Sequence, residues 1–174
     1  MRKKRLLQLT AALLCAVILS ACGGTPADAD YTCTVSISCA TILDNMDQCA
    51  ESKKELVPAD GVILPPTEVA FAEGESAFDV LQRVCRDNGI HLESKFTPVY
   101  NSAYIQGIHN IYEFDVGKLS GWMYTVNDWF PNYGCSLYQV QDGDVIRWVY
   151  TCDLGADVGG GQAAGDGQQE GAST

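Results

Sequence analysis

Ser76-Ala-Phe-Asp-Val-Leu-Gln-Arg-Val-Cys-Arg-Asp-Asn-Gly89 is the stretch on which the fold class turns. Ser76 is a side chain suited to cap a helix, and Asp79, three residues on, completes a capping box. Phe78, Leu81, Val84 and Cys85 then fall on one apolar stripe, and Asn88 and Gly89 supply the stop. No other segment of the chain reads as a comparable helix. On both sides of it the apolar residues recur with period two instead. Downstream, Ile90 to Phe96, Ile111 to Phe114, Trp122 to Val126, Leu137 to Val140 and Val145 to Tyr150 all read as strands. Upstream, Cys33, Val35, Ile37 and Cys39 alternate with Thr34, Ser36 and Ser38, which is one more strand with a single apolar face.

The connections add detail. Ala40 to Cys49 has Ile42, Leu43 and Met46 at helical spacing and is expected to form a short helix. Val62 to Leu64, the pair Pro65-Pro66, and Thr67 to Ala72 suggest two short edge strands, because proline cannot donate to a ladder. Asp142-Gly143 is a two-residue hairpin signal, which makes the last two strands an antiparallel pair. One helix among five to seven strands implies an α+β domain, a mostly antiparallel sheet with one main covering helix.

The chain opens with Arg2, Lys3, Lys4 and Arg5 and then runs apolar from Leu6 to Leu19, too short for a membrane span of about 20 residues. Leu19-Ser-Ala-Cys22 follows, and this resembles the lipobox of bacterial lipoproteins. The resemblance implies cleavage after Ala21, lipid on the sulfur of Cys22, and an extracytoplasmic protein anchored to the cell membrane. Residues 1–21 are then a signal peptide and 22–30 a lipidated cysteine with a flexible tether. Residues 31–155 are long enough for one hydrophobic core, and 156–174 are so poor in apolar side chains that a disordered tail is expected. Removing residues 1–21 takes four of the 11 basic residues and none of the 22 acidic ones, leaving a net charge of −15. Such a surface repels nucleic acid.

Six cysteines remain after Cys15 and Cys22: Cys33, Cys39, Cys49, Cys85, Cys135 and Cys152. In an exported domain they are expected to staple the fold as disulfides. Cys33 and Cys39 lie roughly 20 Å apart along one strand, beyond the reach of about 7 Å that a disulfide allows. Each must find another element, and the helix stripe directs Cys85 toward Cys33 or Cys39. The role of Cys49 stays open. No Cys-x-x-Cys pair occurs and neither His91 nor His109 has a cysteine at ligand spacing, so no metal site is expected.

Asn127-Asp-Trp-Phe-Pro-Asn-Tyr-Gly134 packs three aromatics into a loop of turn formers. Trp129, Phe130, Asn132 and Tyr133 are therefore candidate ligand contacts, with flat faces for stacking and an amide for orientation. The competing reading is that Trp129 and Phe130 plug the core. Tyr100 to Asn110 reads as a second polar and aromatic stretch between strands, able to form the other lip of a groove through Tyr104. Trp122, Tyr124, Trp148 and Tyr150 are expected to line the core, with Trp122 also a candidate contact where its strand meets the loop. His109 reads as a turn residue and His91 as solvent-facing. Asp142 and Asp144 sit at the expected hairpin tip, where solvent screens them. No nucleophile elbow, zinc helix or phosphate loop occurs, so no catalytic residue and no cofactor are expected.

Three stretches carry a family resemblance: Glu73 to Leu81, Ser120-Gly-Trp-Met-Tyr-Thr-Val-Asn127, and Pro131 to Tyr138 running on to Gln141-Asp-Gly-Asp-Val-Ile-Arg-Trp148. In that order they resemble a domain-of-unknown-function family related to the C-terminal β-domain of transcobalamin and intrinsic factor, over roughly residues 62–153. In the vitamin carriers that domain covers one side of a bound corrinoid and an α-helical toroid closes the other. The resemblance implies a binding module for cobalamin or another corrinoid, and the 174 residues contain no toroid. The alternative is a structural or adhesive module that meets another protein at the envelope. Under either reading, Cys22→Ala is expected to move the mature protein into detergent-free soluble fractions without lowering its melting temperature. A variant still bound to membranes after washing would rule out the anchor.

Overall fold

The computed structural model describes residues 29–160, so the signal peptide, Cys22 and most of the tether lie outside the described residues. Seven strands and one α-helix follow in order: β1 Tyr31–Ser38, β2 Val62–Phe71, α1 Ala77–Asp87, β3 Leu92–Thr97, β4 Ser102–Ile108, β5 Ile111–Tyr112, β6 Gly121–Val126 and β7 Val145–Thr151. Short 3-10 turns occupy Ala40–Asn45, Glu51–Leu56 and Ala156–Val158. The strands form a four-stranded sheet ordered β2-β1-β7-β6 and a three-stranded sheet ordered β3-β4-β5. Among the described residues no helix is long and apolar enough to cross a membrane.

The α+β reading holds, and the helix begins as its sequence directs. The Ser76 hydroxyl accepts from the Asp79 amide while the Asp79 carboxylate accepts from Ser76 N–H at 2.9 Å, a capping box that satisfies two donors otherwise left bare. Its N-terminus is fastened to a distant loop, with Ala77 N–H donating to Tyr138 O and Phe78 N–H to Cys135 O. Arg83 is buried, yet its guanidinium donates to Ala70 O at 2.8 Å on β2 and to Glu75 at 2.7 Å. That pairing offsets the cost of taking a cation out of water.

The apolar face of β1 is the one expected, with Cys33, Val35, Ile37 and Cys39 all buried. Across the sheet they form rows. Val35, Ile146 and Val126 make one, and Ile37, Trp148 and Tyr124 the next. Trp148 and Tyr124 stack with centroids 5.4 Å apart, and Trp122 meets Tyr150 edge to face at 5.2 Å. The polar tips of that last pair join the two sheets. Trp122 Nε1–H donates to Ile111 O at 2.8 Å and the Tyr150 hydroxyl donates to Tyr112 O at 2.7 Å, both on β5.

Several expectations need correction. Pro65 and Pro66 do not divide two strands but form a bulge in one long edge strand, where the pair stands opposite Ser36 alone. Tyr100 to Asn110 is not a loop, since Ser102 to Ile108 is the central strand of the second sheet. Leu137 to Val140 is not a strand; Gln139 makes one isolated bridge to Ser76. The hairpin at Asp142-Gly143 therefore does not exist. Only Gly143 has positive φ, at 81°, whereas the expected turn needs two such residues. Instead the turn docks on β1, with Thr32 N–H donating to Asp142 and Gly143 N–H to Thr32 O, and it launches β7 parallel to β1. The six cysteines are free thiols here, five of them buried, in place of the expected staples. The globular unit also runs past Gly155 to Gly160: Asp157 caps Cys152 N–H, and a Cβ on Gly160 would touch Phe130 at 3.1 Å.

Asp144, assigned above to a solvated tip, is only 4% exposed. Its carboxylate accepts from Asn127 Nδ2, the Tyr138 hydroxyl and Gln141 N–H, each at 2.8 Å, and its carbonyl accepts from Thr34 of β1. Replacing it strands three donors, so Asp144→Ala is expected to cost about 3 kcal/mol or more of folding free energy. Urea denaturation measures this, and a loss below about 1 kcal/mol would show that the hub is dispensable.

Candidate functional site

Pro131, Asn132, Tyr133 and Gly134 face Thr97, Tyr100, Ser102, Ala103 and Tyr104 across an open groove of about 400 Å³. The two stretches proposed as lips are thus brought together, one as a loop and the other as the tip of the β3–β4 hairpin. Side-chain to backbone bonds hold the loop to β4 and to the core. Ala103 N–H donates to Ser136 Oγ at 2.9 Å, the Cys135 thiol lies 3.7 Å from Ala103 O, and the Tyr124 hydroxyl reaches out of the core to Tyr133 O at 3.0 Å. The groove is therefore preformed rather than assembled around a ligand.

Gly134 allows the close approach. A Cβ there would lie 2.0 Å from Ser102 Oγ and 2.4 Å from Ser102 Cβ, so any side chain must push the loop off β4. The lining contains no charged side chain and three tyrosines, of which Tyr100 and Tyr104 are exposed on one lip and Tyr133 on the other. The Tyr104 hydroxyl donates to Glu113 at 2.6 Å, which anchors its ring. Burial, then that bond to a carboxylate, pushes the Tyr104 phenol up to about 12. It remains a protonated donor across the physiological range, with its ring face free.

The candidate residues divide. Asn132, Tyr133 and Tyr104 line the groove. Trp129 is 48% exposed and stands edge to face against Tyr133, 5.9 Å between centroids, so it backs the lip and does not plug the core. Phe130 is buried, but not in the core. It is 8% exposed and belongs to a second, smaller hollow on the face of the four-stranded sheet turned away from the core, beside Arg147 and Val158. Trp122 is 7% exposed with its N–H consumed inside the core, which removes it from the groove. Thr97, Tyr100, Ser102 and Gly134 were not singled out as contacts. The alternation of Ser102, Tyr104 and Gln106 with Ala103, Ile105 and Gly107 was the signal for a strand that would have aimed them.

Two turns shape the surroundings of the site, one between β4 and β5 and one at the start of the loop. His109-Asn110 and Asn127-Asp128 each carry two consecutive positive φ angles, 56° and 59°, then 50° and 68°. These are tight hairpin turns built without glycine. Asn127 is held further by accepting from Val145 N–H and donating to Asp144. Among the described residues no group of three or more histidine, cysteine or acidic side chains is arranged to hold a metal ion.

Comparison with known proteins agrees with this geometry at the level of the fold. Residues 74–152 match the family model described as Domain of unknown function (DUF4430). No curated protein matches. Haptocorrin, solved in complex with Cbi, superposes at a TM-score of 0.50 with 14% identity, covering 71% of this chain and 26% of that one. The chain thus spans about a quarter of haptocorrin's length. A protein from Ruminococcus gnavus ATCC 29149, described as a candidate metal-binding protein, aligns at 0.42 with 16% identity over 70% of this chain and 97% of that one. The domain is accordingly similar in fold to part of haptocorrin.

The Tyr104 phenol gives a test of the lip. Its folded pKa lies above the ordinary value of 10, so its contribution to stability is complete below pH 10 and is lost as pH rises toward 12. Wild type is expected to lose stability more steeply than Tyr104→Phe across that window, read from urea midpoints at stepped pH. Parallel slopes would show that the Glu113 bond does not form.

Proposed function

We propose that the domain is a non-catalytic binding module that takes one face of a flat, uncharged ligand in the groove between Tyr133 and Tyr104, with a corrinoid as the ligand class. The groove itself carries the reading: three tyrosines and an asparagine converge on an uncharged, preformed hollow. The likeness in fold to haptocorrin, which was solved with Cbi bound, supports the choice of corrinoid. The lipobox resemblance at Leu19 to Cys22 adds display on the outer face of a cell membrane by a lipid anchor.

Size qualifies the proposal in a useful way. At about 400 Å³ the groove is near the low end of the roughly 300–1,000 Å³ of small-molecule sites. It can cover part of a corrin ring and leaves the rest in contact with solvent or a second surface. Affinity from this domain alone is therefore expected to be modest.

One observation favours the alternative, a module that meets another protein. The β3–β4 hairpin exposes Phe96, Val99 and Tyr100 beside the groove, and exposed apolar clusters mark contact surfaces. A thermal-shift screen of the domain against cobalamin, cobinamide and a glycan panel separates the two. A ligand that binds only the folded state must raise the melting temperature. The expected result is a rise with corrinoids, and Tyr133→Ala and Trp129→Ala weaken binding by about 1 to 3 kcal/mol while the free domain melts nearly as before. No shift with any small molecule, or full binding by both variants, overturns the groove as the site.

A further inference from the structure

The parallel pairing of β1 with β7 leaves two thiols at the same corner of the core. Register runs to Ser38 opposite Val149, so Cys39 follows at the level of Tyr150, and Cys152 lies two residues farther along β7 on the same face. The chain turns there from β1 into the 3-10 turn Ala40–Asn45, whose Thr41 hydroxyl donates to Tyr150 O at 2.5 Å and thereby folds the turn over the end of β7. Cys39 is fully buried, and Cys152 is partly open to solvent and packs against the core cluster that contains Cys39. Cys49 is buried as well and follows the same 3-10 turn along the chain.

We infer that Cys39 and Cys152 are a redox pair whose oxidation to a disulfide bolts the end of β7 to the end of β1. The inference does not rest on the ligand groove. The partly exposed Cys152 is the entry point. As a thiolate it attacks one sulfur of a small-molecule disulfide such as glutathione disulfide, forming a mixed disulfide and releasing one glutathione thiolate. The Cys39 thiolate then attacks Cys152 Sγ, the protein disulfide forms, and the second glutathione leaves. Two cysteine protons pass to the leaving thiolates or to water, and two electrons pass from the protein to glutathione. Burial pushes Cys152 up to about 11 and Cys39 to about 12, so the rate of this exchange is expected to climb with pH.

The bond would matter to the fold because it closes a long loop. Every element from the 3-10 turn to β7 lies between Cys39 and Cys152, with only β1 outside, whereas Cys39 to Cys49 encloses a single turn. Constraint of the unfolded chain grows with loop length, so the long closure gives the larger effect. The same bond would hold the segment Ala156–Val158, which begins just after Cys152 and abuts Phe130 through Gly160.

The test uses the full chain incubated with glutathione disulfide or with a thiol reductant, then alkylated and mapped by mass spectrometry without reduction. The expected product is a peptide linking Cys39 to Cys152, with Cys49 alkylated. The oxidised protein is expected to melt about 10 °C or more above the reduced one. Cys49→Ser should retain that gain, and Cys39→Ser and Cys152→Ser should lose it. Linkage of Cys49 to either partner, or alkylation of both Cys39 and Cys152 after oxidation, overturns the inference. Mapping of the wild type decides the matter alone if a serine variant fails to fold.

Discussion

The buried carboxylate of Asp144 is the constraint on which the rest of this domain depends. Four strands cannot close into β2-β1-β7-β6 unless the last strand enters beside the first, and parallel neighbours far apart in sequence have no short turn to align them. Alignment comes from the turn Asp142 to Asp144. Asp144 reaches Thr34 of β1 through its carbonyl, and through its side chain it takes the turn before β7, the Asn127 turn after β6 and the Tyr138 hydroxyl. Burying a carboxylate is costly, and three short donors are what make it tolerable. The same three bonds set where the Asn127 to Tyr138 segment leaves the sheet. The groove loop lies within that segment, so the position of the lip follows from the register of the sheet.

Much of the architecture is legible in the sequence because it rests on local patterns. The capping box at Ser76 and Asp79, the alternation of β1 and the strand at Gly121–Val126 are each set by neighbours within a few residues. What escapes is long-range. Asp142-Gly143 reads as a hairpin by composition, yet its partner is Thr32, more than a hundred residues away, and that pairing turns an apparent antiparallel end into a parallel one. The two-residue turns His109-Asn110 and Asn127-Asp128 lack glycine and so give a weak signal. Pro65-Pro66 reads as a break, and a break at an edge is indistinguishable in sequence from a bulge.

The site divides along the same line. Polarity and turn chemistry find the loop, and they separate neither Trp129 from Phe130 nor Trp122 from Tyr104. Those pairs differ in where the backbone aims them. Trp129 leaves a tight turn toward Tyr133, and Phe130, one residue on, falls to the other face of the chain against Gly160. Trp122 is taken by a carbonyl of β5 that only the packing of two sheets brings within reach. Tyr104 is presented because its stretch, read as a polar and aromatic connection between strands, is the middle strand of a sheet.

These constraints bear on what kind of binder the domain is. The core is crossed by aromatic side chains, three of which have their polar tips engaged, Trp122 and Tyr150 on β5 and Tyr124 on the groove loop, while the buried Trp148 indole N–H has no partner among the described residues. The floor of the groove is thus bonded to the core by Tyr124, to β4 by Ser136, and held close to it by the absence of a side chain at Gly134. A loop fastened at three points loses little freedom when a ligand arrives, so little of the binding energy is spent on ordering it. The hairpin lip carrying Tyr100 and Val99 has no such fastening at its tip, where both side chains project into solvent. One rigid wall and one adaptable wall suit a ligand with a fixed planar ring and variable substituents. Under the proposed function, the rigid wall would read the ring and the hairpin would accommodate the rim.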